Sequence, residues 1–298
     1  MGGDTPGESL RDDYTRFVIL SAARTGSNLL ASALNTGEHI VCFRELFNGR
    51  SGFIDYHVEG YDNRSAEDLA LRNRDFARFL EERIFVPWPE RVRAVGFKMP
   101  YEHFLWFPDM LTWLQERPRV HVLHLRRRNM LRALVSLRVA QKTGGWVEDV
   151  PFTLAQALTL RYAMKAARHP LEAMTAIKRL LWPAKAGKAE PAWKSEREPV
   201  SFTADECRFY FDWSERTGAE YDEALKANPV LALSYEELVG DRRRALGEVQ
   251  RFLDVPREGL FLTTRQQNPE PLRELLANYD ELRAEFQGTR YADFFDSP

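Results

Sequence analysis

In Phe17-Val-Ile-Leu-Ser-Ala-Ala-Arg-Thr-Gly-Ser-Asn-Leu-Leu30 an unbroken apolar run gives way to a tight turn and then to a helix start. Continuous apolarity over a few residues marks a strand buried on both faces. A turn of this kind aims several backbone N–H groups, and the positive end of the helix that follows, at one point. The product is an anion pocket. Gly26 lets the backbone approach closely, Arg24 brings charge, and Thr25, Ser27 and Asn28 bring polar side chains. The turn is not the lysine-bearing G-x-x-x-x-G-K-[ST] loop of ordinary ATP and GTP sites: Ser21 holds the first glycine position, Gly26 keeps the second, and Ser27 replaces the lysine.

Outward from this stretch, three more short aliphatic runs precede helical patterns: Arg93–Phe97, Val120–Leu125 and Val230–Ser234, with His39–Cys42 as a fifth strand candidate. Helices are expected over Ser27–Leu34, Phe104–Glu116, Asn129–Lys142 and Leu272–Phe286, and from an N-cap at Asp241 through Phe252. Buried strands alternating with helices predict an α/β protein with one central parallel sheet covered on both faces. The chain reads as a single domain over 16–298, preceded by a flexible segment over 1–15. A basic helical and loop insertion lies at about 161–200, where nine Lys and Arg face four Glu. That region reads either as a solvated face or as a surface for an anionic or membrane-bound partner through peripheral contact.

Composition narrows the function. With 44% hydrophobic and 12% aromatic residues in 298, the chain can bury a substantial core. Its formal charge is only -2, so nothing global draws it to nucleic acid or to an anionic membrane, and any anion site must be built locally. The two cysteines, Cys42 and Cys207, supply neither a disulfide framework nor metal-ligand spacing, so no metal is expected. The start of the chain lacks the basic and apolar regions of a signal peptide, and no apolar run is long enough to span a bilayer. A cytoplasmic location is expected.

A second segment, Val120-His-Val-Leu-His-Leu-Arg-Arg-Arg-Asn-Met-Leu-Arg-Ala-Leu-Val-Ser136, is a strand running into a helix. Arg128 sits near the strand end and Ser136 lies just over two helical turns further on. A guanidinium with a hydroxyl suits a second, separate phosphate. The alternative is a solvated basic cluster, Arg126 to Arg128, at the sheet edge.

Together the two segments resemble the family of sulfotransferases that use 3'-phosphoadenosine 5'-phosphosulfate (PAPS), and among these the bacterial carbohydrate branch. In that family the strand–turn–helix loop holds the 5'-phosphosulfate, and an Arg and a Ser spaced as Arg128 and Ser136 hold the 3'-phosphate. The loop here has Arg24 where cytosolic small-molecule members carry lysine. Leu233-Ser-Tyr-Glu-Glu-Leu-Val, Gln267-Asn-Pro, Asn278-Tyr-x-Glu-Leu and Gly288-Thr-x-Tyr extend the resemblance toward the C-terminus. The middle of the chain matches little.

The resemblance implies a P-loop-like fold, PAPS as co-substrate, PAP (the desulfated donor) as product, and a glycan or small-metabolite hydroxyl as acceptor. It makes Lys98, in Gly96-Phe-Lys-Met-Pro, a second cation beside the sulfuryl group; the alternative is a lysine snorkelling at the sheet rim. Cytosolic members carry a histidine base two residues after such a lysine, but Pro100 stands there. Glu45, in Cys42-Phe-Arg-Glu-Leu-Phe, matches the glutamate base of the bacterial and tyrosylprotein branches, against the plainer reading of a salt bridge with Arg44. His103 is the second candidate for the base. Tyr235 and Arg265 are matched to the nucleotide, with Trp146 a weaker aromatic neighbour. Two other classes compete: a nucleotide kinase or NTPase, which would need a loop lysine and magnesium carboxylates, and a non-catalytic anion-binding module that would use the basic 161–200 region.

Overall fold

Strand β2 (Thr15–Ser21) has no solvent-exposed side chain from Phe17 onward because it lies at the centre of a parallel sheet, hydrogen-bonded on both edges. The computed structural model describes residues 9–49, 52–143, 198–264 and 267–296. Within them, β3 (Ile40–Glu45), β5 (Ala94–Pro100), β6 (His121–Arg126) and β7 (Val230–Ser234) complete a five-stranded sheet in the order β3-β5-β2-β6-β7. Every pairing in this sheet is parallel. The chain steps to one side of β2 for β3 and β5, then to the other for β6 and β7. That reversal opens a crevice above the carboxyl ends of the central strands, where ligands of open α/β sheets bind. A separate short pair joins β1 (Leu10–Arg11) to β4 (Trp88–Pro89). The chain is thus paired from Leu10, inside the stretch expected to be flexible.

Apolar side chains cover both faces. One layer sets Leu20, Phe43, Phe97 and Val122 against helices α3 (Phe76–Phe79) and α4 (Asp109–Gln115) and a knot of aromatics around Phe47, Tyr56 and Phe79. The other sets Phe17, Ile19, Cys42 and Leu123 against α1 (Ser27–Leu34) and α8 (Arg242–Phe252). A third cluster joins α5 (Met130–Thr143) and α6 (Ala204–Ala224) to the C-terminal helices α9 (Leu272–Leu275) and α10 (Tyr279–Phe286) through Phe211 and Phe286.

Two expected helices are broken. Pro108 divides the Phe104–Glu116 pattern into a 3-10 turn, Tyr101–Leu105, and α4; a proline has no N–H to continue the ladder. Leu272–Phe286 divides at Leu276, whose φ and ψ are extended. There the backbone turns to bridge Val200 and its side chain is buried. Helices α2 (Ala66–Arg74) and α6 were not anticipated. Each announces itself locally, by Ser65 capping the N–H of Asp68 and by a full capping box between Thr203 and Glu206. The same box, between Ser234 and Glu237, starts α7 (Tyr235–Gly240) at the end of β7. The basic 161–200 insertion lies outside the described residues through position 197, as does Trp146.

Candidate active site

A cavity of about 630 Å³ opens above the carboxyl ends of β2, β5 and β6. Its floor is the turn after β2. Arg24 (φ 64) and Gly26 (φ 91) both take the left-handed conformation, which delivers the chain into α1 with Gly26 as N-cap. Gly26 contributes no capping side chain, so the first-turn N–H groups of α1 are left for a ligand. A Cβ at Gly26 would meet the Tyr235 ring at 2.5 Å. Thr25 does not line the cavity. Its hydroxyl donates to the carbonyl of Ala22 at 2.9 Å, pinning the turn from behind. Arg24, Ser27 and Asn28 do line it.

Three arginines converge there. Arg24 donates through Nε to the Ser136 hydroxyl at 3.0 Å and through Nη2 to Gln267. Arg127 donates to the carbonyl of Arg24 at 3.3 Å and lies 4.4 Å over the Tyr235 ring. Arg132 donates to the carbonyl of Glu270 at 3.2 Å. Burial, with Arg127 beside it, brings the Arg24 guanidinium down to about 10, and burial lowers Arg127 and Arg132 as well. Among the described residues Arg127 and Arg132 bond only main-chain oxygens and form no ion pair. Cations drawn out of water without an ion pair are costly unless an anion joins them.

Arg128 stands elsewhere. It is exposed, paired with Glu237, and its backbone N–H is held by Glu236. The arginine of the triplet that faces the cavity is Arg127, one position nearer the strand. Ser136 is where its spacing suggested, buried on α5 and facing inward. Tyr235 is sandwiched between Gly26 and Arg127. Arg265 lies outside the described residues.

The other wall carries Lys98, Glu45 and His103. Strand β3 has a bulge between Phe43 and Glu45, and it moves Glu45 opposite Lys98 on β5. The buried Lys98 ammonium donates to Glu45 Oε1 at 2.6 Å and to Asn28 Oδ1 at 2.5 Å, tying the edge strand to the start of α1. Asn48 donates to Glu45 Oε2 at 3.3 Å, and His103 Nε2 lies 3.8 Å from that oxygen. Burial would raise the Glu45 carboxyl. The Lys98 ammonium, with His103 beside it, outweighs burial and holds it well below the usual carboxylate range. Burial pushes His103 down, so its ring is the neutral form at neutral pH. Arg44, the alternative partner of Glu45, is the buried residue that the bulge skips.

Sequence reasoning passed over two carboxyls that line this wall. Glu102 and Asp55 are both pushed up by burial. The N–H groups of Glu102 itself and of Ala23, in the turn after β2, offset part of that burial. Glu102 stands four residues after Lys98, and its only signal was an acidic residue next to His103. Phe53 and Trp106 complete the mouth.

No protein-family model matches the chain. Among curated proteins it is 26% identical to Nodulation protein H of Rhizobium tropici over 285 residues, covering 94% of this chain and 92% of that one. It is 25% identical to Nodulation protein H of Rhizobium meliloti (strain 1021) over 288 residues, 94% of each chain. Solved structures similar to this chain include a sulfotransferase from Alicyclobacillus acidocaldarius (16% identity, TM-score 0.44, 91% of each chain). Another is mouse sulfotransferase SULT7A1 complexed with PAP (10% identity, TM-score 0.35, 96% of this chain and 89% of that one). Among the described residues, no helix is long and apolar enough to cross a membrane.

Proposed function

We propose that the cavity holds PAPS and that the protein transfers its sulfuryl group to an acceptor hydroxyl. The observation that carries this reading is the meeting of Arg24, Arg127 and Arg132 in one cavity with Ser136 and a helix N-terminus, two of those cations forming no ion pair among the described residues. A nucleotide bearing a 5'-phosphosulfate and a 3'-phosphate supplies anionic groups for both ends. The turn after β2, with Arg24 and the first N–H groups of α1, takes the 5' group. Arg127 and Ser136 take the 3'-phosphate, and Tyr235 flanks the purine.

In the transfer step the acceptor oxygen attacks sulfur in line, the sulfur–oxygen bond to the 5'-phosphate breaks, and PAP leaves. Charge growing on the leaving phosphate falls to Arg24 and Lys98. The acceptor proton passes to Glu45. With Lys98 bound to it, the Glu45 carboxylate is a weak base. When the sulfuryl oxygens draw the Lys98 ammonium away, Glu45 loses its strongest counter-charge and gains basicity as the acceptor arrives. His103 is the second candidate for the proton. Glu45, Asn48, Asp55, Phe53 and Trp106 suit a polyhydroxylated acceptor such as a glycan, whose hydroxyls bond carboxylates and whose ring faces lie on aromatics. The cytoplasm, where PAPS is available, is the matching compartment.

Calorimetric titration with PAP, ATP and ADP, without added metal, tests the reading. Tight PAP binding with weak ATP and ADP binding is expected. Equal or stronger ATP binding would overturn the two-phosphate site. Sulfate transfer from labelled PAPS to a panel of glycan acceptors then tests the reaction.

A further inference from the structure

The hydrogen bonds at Ser136 have a direction. A serine hydroxyl has two acceptor positions and one hydrogen to donate. Arg24 Nε donates to Ser136 Oγ at 3.0 Å and Asn268 Nδ2 donates to it at 3.1 Å. Neither nitrogen can accept a hydrogen bond, so neither takes the Ser136 hydrogen. No acceptor for that hydrogen occurs among the described residues, although Ser136 is only 6% exposed and Asn268 only 7%. Both side chains line the cavity. The hydroxyl is therefore committed as a donor, with its hydrogen left for whatever enters.

We infer that Asn268 is a positioning residue that fixes Ser136 as a hydrogen-bond donor and so makes the second subsite selective for a phosphate over a hydroxyl. A phosphate monoester dianion offers only acceptor oxygens. A nucleotide with a bare 3'-hydroxyl presents a group that gains most where it can also donate, and Ser136 has no acceptor position left for it. The inference rests on the PAPS reading above. It adds a residue from the loop before α9, remote in sequence from both phosphate segments. Were the amide of Asn268 reversed, its oxygen would take the Ser136 hydrogen and the selectivity would vanish. Asn268→Asp imposes that state in nearly the same shape, since a carboxylate oxygen only accepts.

The test is a double-mutant cycle read as the ratio of PAP to AMP affinity, because AMP lacks the 3'-phosphate. Ser136→Ala is expected to lower that ratio roughly ten- to hundredfold, the worth of one hydrogen bond to a charged group. Asn268→Ala should lower it several-fold and Asn268→Asp further, while AMP binding changes little. In the Ser136→Ala background, Asn268→Ala should change the ratio by less than about twofold. An Asn268→Ala effect that persists in full without Ser136, or an unchanged ratio in the single variant, overturns the role of Asn268 alone. A Ser136→Ala variant that keeps the full preference for PAP overturns the two-phosphate reading and this inference with it. If Asn268→Ala does not fold, Asn268→Asp carries the same comparison.

Discussion

The Lys98 ammonium lies 2.6 Å from Oε1 of Glu45 because a bulge in β3 skips Arg44 and sets Glu45 opposite Lys98. Without the bulge, regular register would place Arg44 beside Lys98, two cations facing one another, and would turn Glu45 to the other face. One extra residue in an edge strand thus builds the Glu45–Lys98 wall of the cavity. The same lysine reaches Asn28 at the start of α1, so the wall and the turn after β2 are held in register with each other.

Glu45→Gln keeps the shape of this contact and removes the proton acceptor. PAP affinity should stay within about threefold, while kcat falls by roughly 100-fold or more, the range of a lost general base. Single-turnover transfer from PAPS, with PAP titration alongside, measures both. Normal turnover by this variant would move the assignment to His103 or Glu102.

Arg127 and Arg128 are adjacent and should behave differently. Arg127 faces the cavity beside Tyr235 and Arg24, whereas Arg128 points to solvent and pairs with Glu237. Arg127→Ala is expected to weaken PAP binding by about tenfold or more, the scale of a charge-assisted contact. Arg128→Ala should cost no more than an exposed ion pair, about 1 kcal/mol at most. The two titrations at matched salt decide it. A larger loss from Arg128→Ala would mean that its side chain swings inward when nucleotide binds.

Gly26→Ala combines a left-handed φ with a Cβ placed 2.5 Å from the Tyr235 ring. Backbone strain of this kind costs about 1–3 kcal/mol. The ring would also have to leave its place under Arg127. Urea unfolding should show that loss, and PAP binding should fall further than the stability change alone explains.

Acid should destabilise the fold before the carboxylates titrate. His124, 1% exposed, donates through Nδ1 to Asp222 at 2.6 Å and accepts from the Tyr101 hydroxyl at Nε2 at 2.5 Å. Burial pushes both His124 and His103 below their ordinary value. Below the unfolded value near 6.5, the unfolded chain binds protons that the native state does not. Stability is therefore full above about pH 6.5 and falls as pH drops, by up to about 1.4 kcal/mol per pH unit for each such histidine. Urea midpoints between pH 8 and 5 measure the slope, and His124→Gln should reduce it. A flat profile would mean that both rings take up protons alike in the native and the unfolded chain.

Long-range geometry is what single-chain patterns do not carry. The β2–turn–α1 unit was legible because everything that makes it lies within fourteen residues: an apolar strand, a glycine for the left-handed step, and a helix start. The parallel sheet followed from strands alternating with helices, and Ser136 from its place on a helix face. The arginine that enters the cavity was not legible. Three arginines in a row differ only in the direction each leaves the strand end, and Glu236 and Glu237 on α7, over a hundred positions away, capture Arg128. Arg132, Glu102 and Asp55 were missed because each looks like an ordinary charged residue until burial sets it apart.

By itself the sequence determined the local chemistry: a turn that presents N–H groups, a strand–helix unit with Arg and Ser, and an α/β frame to hold them. Local sterics and the hydrophobic period act between near neighbours and are written in order along the chain. The tertiary structure alone decided which charges meet. The bulge that joins Glu45 to Lys98, the choice of Arg127, and the reach of Asn268 to Ser136 across 132 positions all depend on register and packing between distant segments. Those contacts form only when burial makes an unpaired polar group too costly to leave unmatched.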